Sequence, residues 1–255
     1  HYHMLTAEEV ARQLRAHEQS NDLPDHPLIQ RIDQSQLPSN EPCEDYCSQN
    51  VLTDGSGHLF GVYDGHDGDK CSSWLYKALP VQVTEALEKL PKDADTAAIH
   101  KEIEDAFVHI DDQFTHDIAE QLEVLSKRRL CDSEDNKGTD EEHVLVDRAT
   151  SGSCALLAYV NTPRREVTVA LTGDCRAIIG RFEQGQWRAR VLSEDQKYSN
   201  RSERERILSE HPGEEETMFV YGRILGLGKL PRRRRRRYGY DADVSTNCFA
   251  RCSAN

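Results

Sequence analysis

Apolar residues recur three or four apart in two long stretches of this chain. Ile99, Ile103, Phe107, Ile110, Phe114, Ile118 and Leu122 form one stripe, which predicts a helix over 97–127. Trp74, Leu75, Ala78, Leu79, Val83, Ala86, Leu87 and Leu90 form another over 70–90, where Pro80 predicts a break or kink. Residues 5–19 keep a rougher stripe of Leu5, Val10, Leu14 and Ala16, with Thr6 as N-cap. RSERERILSE (201–210) reads as a charged helix.

The period changes after residue 152. SCALLAYV (153–160), EVTVALTG (166–173), AIIGRF (177–182) and WRARVLS (187–193) read as short strands, and EQGQ (183–186) as a hairpin loop. His58 to Asp64 is a further strand. Residues 20–57 are polar and read as loop with short extended pieces. CDSEDNKGTDEEH (131–143) reads as a solvated acidic loop. Two helices framed by many β-rich segments predict an α+β layered domain.

Composition narrows the function classes. The 255 residues carry a net charge of −13, which disfavours general nucleic-acid binding. Hydrophobic residues make up 37% and no run has the length to span a bilayer, so no transmembrane segment is expected. Arg232 to Arg237 form a basic run within this acidic chain. The eight cysteines, at 43, 47, 71, 131, 154, 175, 248 and 252, contain no CxxC pair. They read as scattered thiols of a reducing compartment. Pro42 argues against a helix that would align Cys43 with Cys47.

FGVYDGHDG (60–68) is where chemistry enters. An apolar strand ends on Asp64, Gly65, His66 and Asp67. An aspartate there can offer both oxygens to a hard cation, and glycine lets a backbone carbonyl approach it. A histidine two residues on can donate a proton to a leaving oxygen. Glu44-Asp45 upstream and Gly173-Asp174-Cys175-Arg176 after EVTVALT add further acids at strand ends. Each alone reads as a turn or surface charge as readily as a ligand. Together they favour a cation, because clustered carboxylates repel.

These residues resemble the metal-dependent protein serine/threonine phosphatases of type 2C, the PPM family. GVYDGHDG resembles its GVFDGHGG block, SGSCALLAYV its GSTA strand, and LTGDCRAIIG its NxGDSRAVL block. LSEDQKYSNRSERERI resembles its DHKPxxxxExxRI block, and YGRILGLG the start of GRLxxSRAFGD. The five blocks occur in the family's order. QLPSNEPCED (36–45), MLTAEEVARQLRAHE and RERILSEHPGEEETMFVYGRILGLGKL are similar to segments of its pyruvate dehydrogenase phosphatase branch.

The resemblance implies an α-β-β-α sandwich of two mainly antiparallel sheets flanked by helices. It implies hydrolysis of phosphoserine and phosphothreonine with two Mg²⁺ or Mn²⁺ ions. Asp64 resembles the bridging ligand, Gly65 the carbonyl donor, Glu44 and Asp45 the acidic pair, and Asp174 a ligand of a weaker third ion. His66 resembles the general acid. Asn40 stands where many members have an arginine that grips the substrate phosphate, and its amide lacks that charge. The branch implies phosphorylated pyruvate dehydrogenase E1 as substrate, the lipoyl domain of E2 as partner, and the mitochondrial matrix. No transit segment is visible, so cytoplasm or nucleus is the alternative.

The resemblance fades after about Lys229. Residues 1–230 are expected to form the phosphatase domain and 231–255 a basic tail. The family's later FGD, DG and DN blocks do not follow, so an incomplete domain is expected. A non-catalytic, phosphatase-like binding module or an inactive truncated product is the competing expectation.

Overall fold

The computed structural model describes residues 4–131, 140–197, 199–213, 219–220, 223–224 and 250–253. Helix α1, Ala7–Leu14, starts where Thr6 predicts. The Thr6 hydroxyl accepts from Glu9 N at 3.2 Å, and Thr6 N donates to Glu9 Oε2 at 2.7 Å. None of α1 is buried, so the cap carries it and it ends at Leu14, short of residue 19. Strands β1 (Gln19–Asp22) and β2 (Arg31–Gln34) form a separate antiparallel pair.

The polar segment 20–57 also contains β3, Asp45–Val51, a strand of the main sheet. It pairs with β4, Gly57–His66, in a ladder from Asp45↔Asp64 to Val51↔His58. Backbone pairing at a sheet edge holds β3, which is why its side chains show so weak an apolar pattern. β4 runs two residues past Asp64. The chain bends only at Asp67 and Gly68, both at positive φ.

Helix α2, Lys70–Lys89, runs through Pro80 without the expected break. Pro80 is fully buried with Leu79 and Val83. Packing there offsets the lost backbone hydrogen bond. Helix α3 spans Thr96–Cys131, and α4 spans Asp140–Thr150. The acidic segment read as loop therefore includes the end of α3 and the first turn of α4. Leu145 of α4 packs against Phe114 and Ile118 of α3, which anchors those polar residues in a helix. Residues 132–139 of that segment lie outside the described residues.

Strands β5 (Gly152–Ser153), β6 (Ala155–Asn161) and β7 (Glu166–Thr172) complete the centre. Strands β8 (Ile178–Glu183) and β9 (Gln186–Val191) form the predicted hairpin. Its turn residues Gln184 and Gly185 have φ of 51° and 78°, as a two-residue hairpin turn requires. Helix α5, Arg201–Glu210, follows, capped by Asn200, whose side chain accepts from Ser202 N. β10 (Phe219–Val220) pairs with β11 (Arg223–Ile224). β12, Ala250–Ser253, lies antiparallel beside β7, so part of the segment read as a tail joins the sheet.

The main sheet runs β12-β7-β6-β4-β3, with β5 pairing the far end of β4. Its two faces are both apolar. Leu59, Tyr63, Leu157 and Ala170 face Leu79 and Val83 of α2 and Ile103 of α3. Leu156, Val169 and Leu171 face the other way, toward Leu192, Cys175 and Ile179. This layering is the α+β arrangement expected from the sequence.

Candidate metal centre

Strand pairing builds the site. Asp45 begins β3 directly opposite Asp64 near the end of β4. One residue on, the backbone is locked to Glu44: Gly65 N donates to the Glu44 carbonyl at 3.2 Å. The same carbonyl accepts from the Ser72 hydroxyl of α2 at 2.5 Å. A Cβ on Gly65 would sit 2.4 Å from that carbonyl and 2.5 Å from Ser72 Oγ, so glycine is a steric requirement here.

The Glu44 side chain is held at both oxygens. Oε1 accepts from Gly68 N at 2.8 Å, and Oε2 accepts from the Asn40 amide. Asn40, expected from the resemblance to meet a substrate phosphate, lies against Glu44. His66 is exposed, with Nδ1 3.7 Å from Asp67 Oδ2. Its ring covers Gly152, its register partner on β5, where a Cβ would meet it at 2.3 Å.

Asp174 arrives from the end of β7. Gly173 turns the chain with φ of +99°, and its backbone is clamped by Gln196. Gly173 N donates to Gln196 Oε1 at 3.0 Å and Gln196 N donates back to the Gly173 carbonyl at 2.8 Å. Cys154 N donates to the Asp64 carbonyl at 2.8 Å, and the Cys154 thiol donates to Asp174 Oδ1 at 3.5 Å. Two residues further, Arg176 makes a two-pronged bond to Asp195 at 3.0 and 2.6 Å, and Lys197 reaches the same carboxylate at 2.7 Å.

Electrostatics separate the two groups of acids. The Asp64 carboxyl is pushed up, first by burial and then by Asp45, Asp174 and Glu44, with His66 opposing. The Asp195 carboxyl is drawn down by its hydrogen bonds to Arg176 and Lys197. Asp195 is thus a neutralised structural acid, while Asp64 sits in a field of like charge. The Cys175 thiol is held up by its hydrogen bond with Cys154, and that contact draws Cys154 down.

The donor set is all oxygen, the type that suits Mg²⁺ or Mn²⁺. Repulsion around Asp64 is the strain a divalent cation would relieve, so the residues fit such an ion in chemical kind. Among the described residues, no group of three or more His, Cys, Asp or Glu side chains is arranged to hold a metal ion. Fold topology brings together Glu44, Asp45, Asp64, Gly65 and Asp174, with His66 beside them. Sequence reasoning gave no role to Ser72, Gly68, Gln196 or Cys154. The last three stand inside the blocks FGVYDGHDG, LSEDQKYSNRSERERI and SGSCALLAYV, and Ser72 shows as a small polar residue on the apolar side of a predicted helix.

The pattern described as Protein phosphatase 2C matches residues 35–230. A "Protein phosphatase 2C homolog" of Schizosaccharomyces pombe is 32% identical over 216 residues, covering 78% of this chain and 44% of that protein. The mitochondrial [pyruvate dehydrogenase [acetyl-transferring]]-phosphatase 1 of Saccharomyces cerevisiae is 33% identical over 243 residues, covering 88% and 40%. The protein of that name in Homo sapiens is 28% identical over 270 residues, covering 88% and 50%. The chain therefore spans half or less of the length of these relatives. With its family pattern matched from residue 35 to residue 230, over this sheet and these strand ends, the chain belongs to the protein phosphatase 2C family.

Proposed function

We propose that this chain is the part of a protein serine/threonine phosphatase that holds most of the metal ligands and the proton donor. The observation that carries the reading is the juxtaposition of Asp45 and Asp64 across β3 and β4, with Asp174 near enough to perturb Asp64. Asp64, Asp45, Glu44, Asp174 and the Gly65 carbonyl would hold two Mg²⁺ or Mn²⁺ ions and a weaker third. Bound there, the ions supply charge to offset the phosphoryl oxygens and make a nucleophile available at neutral pH.

The chain's own residues supply orientation and a proton. Gly68 N and Asn40 fix Glu44, and Ser72 fixes the backbone that Gly65 follows. His66 stands exposed at the rim, free to reach a bound phosphoester. Its imidazolium gives a proton to the departing seryl or threonyl oxygen. Asn40 would offer the phosphate the second hydrogen of its amide, the first being donated to Glu44, where a cation would bind harder.

The substrate class we propose is a phosphorylated protein, of the pyruvate dehydrogenase E1 type, with the E2 lipoyl domain as partner and the mitochondrial matrix as setting. The supporting observation is similarity to phosphatases with that name over 88% of the chain. Residues 1–230 would form the catalytic domain. The test is release of phosphate from phosphoserine peptides of E1 and from p-nitrophenyl phosphate with Mn²⁺, abolished by Asp64→Asn. A folded chain with no turnover at millimolar Mn²⁺ would sink the reading.

A second reading, a phosphatase-like module that binds without hydrolysis, is favoured by one observation. Among the described residues no three-ligand group is arranged for a metal. Calorimetric titration separates the two. Two Mn²⁺ sites support the enzyme, and none, with phosphopeptide still bound, supports the module.

A further inference from the structure

His58 of β4 is buried at 8% exposure, and His26, in the turn between β1 and β2, packs against it. The two rings meet edge to face, with centroids 4.5 Å apart and planes at 89°. Phe60, two residues along β4, lies nearly parallel to the His58 ring at 6.3 Å. Hydrogen bonds fix the form of His26. Its Nδ1 accepts from Leu28 N at 3.1 Å and from Ile29 N at 2.8 Å. An accepting nitrogen keeps its lone pair, so the neutral ring carries its proton on Nε2. Nε2 is buried and has no hydrogen-bond partner among the described residues. A second proton would sit on Nδ1, facing two N–H donors, and both bonds would be lost.

We infer that His26 and His58 form an acid-released clasp that holds the turn between β1 and β2, residues 23–30, on the main sheet. In the closed clasp both rings are neutral. A positive ring would be buried beside a second histidine with no carboxylate to offset it. Opening would bare Leu23, Leu28 and Ile29, which are half-buried in the closed form. The other end of the segment is tied without a histidine. Gln34 Nε2 donates to Cys47 Sγ at 2.8 Å, and Gln34 Oε1 accepts from Gln49 at 3.1 Å. Release is therefore local to the turn, the kind of opening that a small contact can govern.

The surroundings decide the sign. His58 lies in register with Val51 of β3 and Val160 of β6, neither of which titrates. Among the described residues, His26 is the titratable group that acts on it. The charged residues of the segment, Asp22, Asp25, Arg31 and Asp33, are exposed, and Arg31 bonds Asp33 at 2.8 Å. Burial, and then His26, lowers the His58 pKa from the ordinary 6.5. The clasp is thus fully closed above 6.5 and weakens as pH falls from there, because the released ring takes up a proton more readily. His66 and His116 differ, since each stands exposed near a carboxylate, Asp67 or Glu120, that would favour a positive ring.

The test is hydrogen–deuterium exchange of the full chain at about pH 7.5 and about pH 5.5, each amide referred to its own intrinsic rate. Protection in peptide 23–30 is expected to fall on acidification, by up to about tenfold per pH unit below 6.5 for each proton taken up on release. Protection of α3 between Ile103 and Ile118 is expected to hold. His58→Phe keeps an aromatic ring that cannot titrate and is expected to abolish most of the fall. His26→Asn keeps an acceptor for the Leu28 and Ile29 amides and carries the same test if His58→Phe does not fold. Equal protection of 23–30 at the two pH values, or a fall undiminished in the folded variant, would overturn the clasp. So would an equal fall in α3, which would mark global unfolding. Neither Mn²⁺ nor turnover enters the measurement, so the clasp and the phosphatase reading fail separately.

Discussion

Asp45 and Asp64 are register partners, the first residue of one strand facing the carboxylate near the end of its neighbour. Two acids placed opposite on a sheet repel unless something positive sits between them. The Asp64 carboxyl is raised first by burial and then by Asp45, Asp174 and Glu44, so the like charges add to the desolvation.

That repulsion gives a prediction with two signs. Mn²⁺ at about 100 times its dissociation constant should stabilise the wild-type chain by about 2.7 kcal/mol. Asp64→Asn should lose most of that gain. Without metal the same variant should melt at or slightly above the wild type, since one repelling charge is gone and solvent screens the remainder. Thermal unfolding with and without Mn²⁺ measures both. If the Asp64→Asn variant is still stabilised by Mn²⁺ as strongly as the wild type, Asp64 is not a ligand.

His66 should matter in proportion to the basicity of the leaving group. In His66→Ala, turnover of a phosphoserine peptide should fall roughly 10²–10⁴-fold, the usual contribution of a general acid. Turnover of p-nitrophenyl phosphate should fall far less, because p-nitrophenolate leaves without protonation. Equal losses on the two substrates would show that His66 acts in binding instead.

Gly65→Ala tests the close approach of β4 to Glu44. The new methyl would lie 2.4 Å from backbone and 2.5 Å from Ser72 Oγ, and Glu44 would have to move. Overpacking of this kind typically costs about 1–3 kcal/mol. Urea unfolding should show a lower midpoint with an unchanged slope. A midpoint equal to that of the wild type would mean the strand end yields freely.

Asp195 is expected to contribute to the acid side of the stability profile. Its hydrogen bonds to Arg176 and then Lys197 lower its pKa in the folded chain below the ordinary 3.8. Stability from this carboxylate is therefore fully present above 3.8 and is lost as pH falls from there through the lowered folded value. Asp195→Asn should flatten unfolding free energy against pH in that acidic window and lower stability at neutral pH. An unchanged acid slope would mean that other carboxylates carry it.

The sequence by itself determined the elements that answer to local rules. The stripe from Ile99 to Ile118 specified α3, because one helical face had to be buried. Thr6 with Glu9 specified the start of α1, and Gln184-Gly185 the β8–β9 turn, because caps and tight turns depend on a few adjacent residues. Asp64 and its neighbours were legible for the same reason, since a short strand-end motif keeps its residue types in order.

Tertiary structure decided what depends on distant partners. β3 has a polar sequence and exists because β4 offers it a ladder. Pro80 stays helical because the core around Leu79 and Val83 holds it there. The Glu44 carbonyl meets both Gly65 and Ser72, the latter 28 residues along the chain, a contact no local pattern encodes. Cys154 reads as a scattered thiol in sequence. It lies over the bend at Gly173 only because β6 and β7 align in this register, since sheet register sets which residues of distant segments touch.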